Sequence, residues 1–285
     1  MSLEYAGGRI DLDHCLVMGV VNRTPDSFYD GGRMDLGESV RFALGLVADG
    51  AEILDLGAVK AGPGADVSED EEMSRLLPLI GAVAAETGVP ISVETARPAV
   101  VEAAVVVGAA IINDVSGLAD PELAPAVARS GAGLIVMHNG GQLRGRPRHP
   151  VYEDIVEDVI RTWAVLTERA MDDGVARERI IVDGGLDFGK TTFHSLELVR
   201  RLGEQTRFGF PVLVAPSRKD VVGETLDLPV EERLEGSLSL AALSAYLGAA
   251  IVRVHDVRAS ARAVRMAEAV AGRRSPLSPV RGLWD

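Results

Sequence analysis

The stretch Gly108-Ala109-Ala110-Ile111-Ile112-Asn113 carries the pattern that decides the fold. A Gly-Ala pair closes a helical segment, a short aliphatic run reads as a strand, and a polar side chain able to hold a ligand ends it. The pair recurs at Gly50-Ala51, Gly131-Ala132 and Gly248-Ala249, each time before an aliphatic run. Glycine just past a helix supplies the left-handed turn that stops it. The polar ending recurs too. The run from Leu16 to Val21 leads into Asn22, Pro90 to Val93 into Glu94, Ile180 to Val182 into Asp183, and Ile251-Val252 into Arg253 and His255.

Working outward, strands are expected around 16–21, 52–56, 90–94, 111–113, 133–137, 180–183, 211–215 and 251–254. Helical patterns fill 36–49, 69–87, 98–107, 121–130, 151–173, 195–206, 234–247 and 259–271. Strand alternating with helix implies parallel pairing through right-handed crossovers. Eight of each favour an α/β fold closed as a (β/α)8 TIM barrel, with an open doubly wound sheet as the alternative. The intervals are too irregular for a solenoid. In a barrel every strand ends on one face, where such proteins keep their active sites.

The chain of 285 residues suits a single domain, 1–285, with the barrel over about 16–271 and a Pro-rich surface tail from 273 to 285. Aromatic residues make up only 4%, so the core must be built from Val, Ile, Leu and Ala. Cys15, the single cysteine, has no disulfide partner and reads as a core residue. A formal net charge of −13 argues against nucleic-acid binding, which needs a basic footprint. No apolar stretch approaches a membrane span and no signal sequence opens the chain, so a cytoplasmic location is expected. The loop bearing Arg144, Arg146, Arg148 and His149 is locally basic and reads as a solvated segment.

Four further groupings carry chemistry. Asn22-Arg23-Thr24-Pro25-Asp26-Ser27-Phe28 follows the first strand with short polar groups on a stiffened turn, and an Asn oxygen can ligate Mg²⁺. Asp183 to Thr191 follows the sixth strand, and from Gly184 it also matches the spacing of a phosphate-cradling loop ending Gly189-Lys190-Thr191. Ser217-Arg218-Lys219 and Arg253-Val254-His255-Asp256 complete the set. Arg253 and His255, one residue apart on a strand, point the same way.

Taken in order, these motifs resemble the dihydropteroate synthase family of pterin-binding TIM barrels, over about residues 16–270. That family condenses 7,8-dihydropterin-6-ylmethyl diphosphate with 4-aminobenzoate, releasing pyrophosphate in folate synthesis. The resemblance implies a pterin pocket from Glu94, Asn113, Met137, Asp183 and Lys219. It implies a diphosphate site from Asn22, through Mg²⁺, with Arg253 and His255, and a second-substrate pocket touching Phe188 and Ser217. Asn22, Lys219, Arg253 and His255 would carry the catalytic roles, and a homodimer is expected.

The departures from the family pattern sit on the same face. Residues 57–64 read Gly-Ala-Val-Lys-Ala-Gly-Pro-Gly where the family has Gly-Gly-Glu-Ser-Thr-Arg-Pro-Gly, so Ala61 and Gly62 delete a hydroxyl and a guanidinium. Losing one donor aimed at transition-state charge costs about 2.7–4 kcal/mol. Glu94 and Asp187 stand for Asp and Gly, and Asp220 for Ser, the last two adding negative charge near an anion site. Arg23 and Lys60 are candidates for restoring the missing positive charge. The pattern resembles the family's divergent second branch, in which synthase activity is weak, lost or redirected; the alternatives are a fully active synthase and a non-catalytic pterin-binding or regulatory protein.

Overall fold

The computed structural model describes residues 1–22, 35–58, 67–141 and 150–281. Two short antiparallel strands, β1 (Ser2–Tyr5) and β2 (Gly8–Asp11), open the chain. The barrel strands follow as β3 (Leu16–Asn22), β4 (Ile53–Gly57), β5 (Ile91–Glu94), β6 (Ile111–Asp114), β7 (Gly133–Met137), β8 (Ile180–Asp183), β9 (Val212–Val214) and β10 (Ile251–Val254). Each pairs in parallel with its sequence neighbour, and β10 closes the ring on β3 with Ile251 opposite Leu16. The closed barrel is the expected one, and the open sheet is excluded.

The helices on the outside are α1 (Leu36–Ala48), α2 (Glu69–Glu86), α3 (Pro98–Val106), α4 (Leu123–Ser130), α5 (Ile155–Asp172), α6 (Thr192–Arg200), α7 (Leu202–Gln205), α8 (Asp220–Leu226), α9 (Leu234–Tyr246) and α10 (Val257–Val270). Local chemistry sets their starts. Asp35 and Glu38 form a reciprocal capping box at α1, Ser68 caps α2 ahead of an acidic first turn, and Asp154 accepts from two amides of α5. At the other ends Gly50, Gly108, Gly131 and Gly248 all take positive φ, as the Gly-Ala pairs predicted. The expected helix over 195–206 begins earlier and breaks at Arg201, and α8 lies where no helix was expected.

Two apolar layers hold these elements. Leu54, Leu56, Val93, Ile112, Leu134 and Val182 face outward against the helices, where Leu76, Leu79, Ile80 and Val83 form one face of α2. Leu16, Met18, Ile53, Ile111, Ile135, Ile181, Leu213 and Ile251 fill the barrel floor. Leu3 of β1 is fully buried against that floor, so the N-terminal strand pair closes the end opposite the strand termini. The sequence reading did not anticipate this pair. Among the described residues no helix is long and apolar enough to cross a membrane.

Candidate active site

Strand parity builds the site. Side chains alternate across a strand, so the residue two past each floor residue also points inward, one layer nearer the mouth. Counting from Ile53, Ile111, Ile135, Ile181 and Ile251 gives Asp55, Asn113, Met137, Asp183 and Arg253. The apolar floor therefore ends at a polar layer.

Asp55, fully buried, is the hub. Its Oδ1 accepts from Ser92 Oγ at 2.6 Å, and its Oδ2 accepts from Arg253 Nε at 2.6 Å and Asn113 Nδ2 at 3.2 Å. Arg253 also donates from Nη2 to Glu94 Oε2 at 2.8 Å. Burial pushes the Glu94 carboxyl up to about 7 against the pull of Arg253. Burial also opposes the Arg253 charge, but the Asp55 and Glu94 carboxylates outweigh it and hold the guanidinium above its ordinary value.

Asp183 sits across the mouth, in register with Met137, which is buried. Its Oδ1 accepts the Gly185 amide at 2.7 Å, a local turn and not a helix cap, since the next helix starts at Thr192. Burial raises its pKa while the Lys219 ammonium opposes the rise; burial lowers Lys219 in turn, with Asp183 opposing. Lys219 Nζ donates to the Leu186 carbonyl at 2.8 Å and lies 4.9 Å from the Phe188 ring centre. Ser217 Oγ accepts from the His255 amide at 3.2 Å and lies 3.0 Å from His255 Nδ1. Burial, helped by Arg253, lowers His255 to about 4, so its ring is neutral at pH 7. Asn22 Oδ1 lies beside Gly57, where an added Cβ would come within 3.2 Å of it.

Lys190 does not act as a phosphate-loop lysine. Its buried Nζ lies 2.8–3.0 Å from the carbonyls of His138, Gly185 and Phe188 and from His138 Nδ1. With Lys190 donating to Nδ1, His138 presents Nε2–H to Asp158 Oδ1 at 3.0 Å. Burial lowers His138 to about 4 and Lys190 to about 7. The ammonium is committed to tying the loop after β8 to the end of β7.

The two extra carboxylates also differ from expectation. Asp187 takes φ 68°, a conformation natural to glycine and tolerated by Asp, and its side chain accepts from the Val221 amide and Ser195 Oγ, each at 3.1 Å. It thus caps α8 from another loop. Asp220 pairs with Arg233 at 3.1 Å. Both charges meet donors, so neither stands as an unopposed repulsive charge. Arg218 is held bidentately by Asp256 at 2.9 and 3.0 Å.

The sequence-based set of Asn22, Glu94, Asn113, Met137, Asp183, Ser217, Lys219, Arg253 and His255 lies at strand ends or just beyond them on one side of the barrel. Phe188 joins it beside Lys219. Arg23, Lys60, Ala61, Gly62 and the basic loop from Arg144 to His149 lie outside the described residues. Asp55 and Ser92 were missed. The available signal was parity: Asp55 is a lone carboxylate in the run Ile-Leu-Asp-Leu, on the side that points inward.

A closed parallel barrel with carboxylates, an amide and two cations at the ends of its strands defines the class as a TIM-barrel protein, whose functional groups gather on that face. The sequence profile of the pterin binding enzyme family matches residues 18–255, and the chain belongs to that family, which includes the dihydropteroate synthases. A Mycobacterium leprae protein named inactive dihydropteroate synthase 2 is 45% identical over 290 residues, covering 99% of this chain and 100% of its own. The dihydropteroate synthase of Escherichia coli is 40% identical over 271 residues, covering 94% and 96%. The structure of Xanthomonas albilineans dihydropteroate synthase in complex with 7,8-dihydropteroate matches with a TM-score of 0.85 at 37% identity, covering 95% of this chain and 98% of that one.

Proposed function

We propose that this chain holds a reduced pterin at the barrel mouth and that ordinary synthase turnover is weak, lost or redirected. The observation that carries the reading is the inward polar layer of Asp55, Glu94, Asn113, Asp183, Lys219 and Arg253 above an apolar floor. A pterin edge presents several N–H donors, and buried carboxylate and amide oxygens match it; an analogue without those donors would leave them unpaired. Glu94, Asn113, Asp183 and Lys219 would hold the ring, with Met137 against its face.

In the reference reaction a C–O bond breaks, leaving negative charge on a departing diphosphate and positive charge on the pterin methylene. Arg253 and His255 would receive the diphosphate, with Arg23 and Lys60 as further candidates, and the carboxylates would favour the cation. An Mg²⁺ ion would be held mainly by phosphate and water. Asn22 would supply a protein oxygen to it, and the ion would offset charge on the leaving group. Phe188 and Ser217 would border the 4-aminobenzoate or another arylamine. Loss of ordinary turnover is supported by Ala61 and Gly62 in the second loop and by the likeness to proteins named inactive. A homodimer through α9 and α10 is supported by exposed Leu243, Tyr246, Met266 and Val270 on these helices, which pack together.

The test is titration with 6-hydroxymethyl-7,8-dihydropterin, followed by incubation of its diphosphate with Mg²⁺ and 4-aminobenzoate while pteroate and pyrophosphate are measured. Pterin binding that weakens at least about tenfold in Asp183→Asn, with little pteroate, is the expected outcome. Absence of pterin binding defeats the reading, and rapid pteroate formation defeats the loss of turnover.

A further inference from the structure

The guanidinium proposed above to receive the diphosphate is already held by two carboxylates. Arg253 Nε meets Asp55 at 2.6 Å and Nη2 meets Glu94 at 2.8 Å. Nε and Nη2 form one of the two forks with which Arg binds an oxyanion bidentately, and here each arm has its own acceptor. Asp55 cannot readily leave, because Ser92 and Asn113 hold it as well. Glu94 is different. Its hydrogen bond among the described residues is the one to Arg253, and its longer side chain can swing away without breaking the hub.

We propose that Glu94 is a specificity-determining residue: paired with Arg253, it competes with an incoming phosphate, so the site takes a reduced pterin without an anionic tail in preference to its diphosphate. The charges point the same way. Asp55, Glu94 and Asp183 face Lys219 and Arg253, and Lys219 already donates to the Leu186 carbonyl. A diphosphate that takes the Nε–Nη2 fork must displace Glu94 from Arg253, and on either fork it lies beside buried negative charge. A neutral hydroxymethyl group requires neither.

The proposal rests on the pterin reading for the identity of the preferred ligand, so its test begins with inorganic pyrophosphate, which does not depend on that reading. Calorimetric titration of the full chain with pyrophosphate and Mg²⁺ should show Glu94→Gln binding on the order of tenfold more tightly than the parent, because a charge-assisted contact has become a neutral one. The gain should vanish in Glu94→Gln combined with Arg253→Ala. If Gln at 94 compromises folding, as read by thermal melting, Glu94→Asp withdraws the carboxylate by one methylene and should move affinity in the same direction. Comparing 6-hydroxymethyl-7,8-dihydropterin with its diphosphate, the affinity ratio should shift toward the diphosphate in the variant. Equal pyrophosphate affinity in parent and variant, absence of binding in both included, overturns the proposal; so does a gain that survives loss of Arg253. A pyrophosphate gain without binding of either pterin supports Glu94's competition for Arg253 and removes the pterin reading alone.

Discussion

On the β4, β5, β6 and β10 side of the mouth, Asp55, Ser92, Glu94, Asn113 and Arg253 answer one another through side chains. Around β7 and β8, Lys190 answers mainly to backbone carbonyls, while His138 and Asp158 continue the chain outward. Both clusters are buried and charged, and both contain a cation whose sequence context suggests phosphate binding. The difference lies in what satisfies the cation. Carbonyls at the turns of a loop cannot be exchanged without unmaking the loop, whereas side-chain partners can change rotamer when a ligand arrives. Saturation by backbone marks a structural cluster, and saturation by side chains at the strand ends marks a candidate site.

The contrast is sharpest in paired substitutions. Asp55→Ala leaves Arg253 with one carboxylate and Asn113 without its acceptor, and should cost about 3–5 kcal/mol in chemical denaturation while abolishing pterin binding. Lys190→Met leaves carbonyls without their donor and should cost about 3 kcal/mol, yet retain pterin affinity within a few-fold once the protein is folded. A loss of pterin affinity in Lys190→Met comparable to that in Asp55→Ala would erase the distinction drawn between the clusters.

A pH titration probes the structural cluster with no ligand. His138, 2% exposed, has its folded pKa depressed from 6.5 to about 4 by burial. Its contribution is therefore fully present above pH 6.5 and disappears as pH falls through about 4. Over that window the contribution is on the order of 3 kcal/mol. The slope of unfolding free energy against pH between those values should flatten in His138→Gln; an unchanged slope would show that His138 is not held neutral.

The smallest effect is expected at Asp187, which sits between the clusters. Asp187→Gly removes a cap on α8, worth about 1 kcal/mol, and relieves a positive φ of similar cost. Stability should stay within about 1 kcal/mol of the parent. A larger loss measured by denaturation would mean that Asp187 holds the Lys219 end of α8 more firmly than one capping bond can.

Much of the site was legible because barrel strands obey simple parity. Asn113, Asp183 and Arg253 each stand at a strand end after an aliphatic run, so their convergence follows once the runs are read as parallel strands. Asp55 escaped that reading because it lies inside its strand, between two leucines that face the helices. The helix α8 escaped for another reason. Its seven residues are too few to display a hydrophobic period, and its first turn is capped by Asp187 from a loop 34 residues earlier.

What this sequence determined by itself was the order of its elements and which side of each strand is polar, since helix stops, caps and two-residue alternation are local properties of the chain. Tertiary structure alone decided that Leu3 closes the floor, that Asp55 and Glu94 share Arg253, and that Lys190 serves a loop and not a ligand. These outcomes are set by distances between segments far apart in sequence. Burial then makes each such meeting energetically decisive, because a charge removed from water must find its partner in whatever the fold brings near.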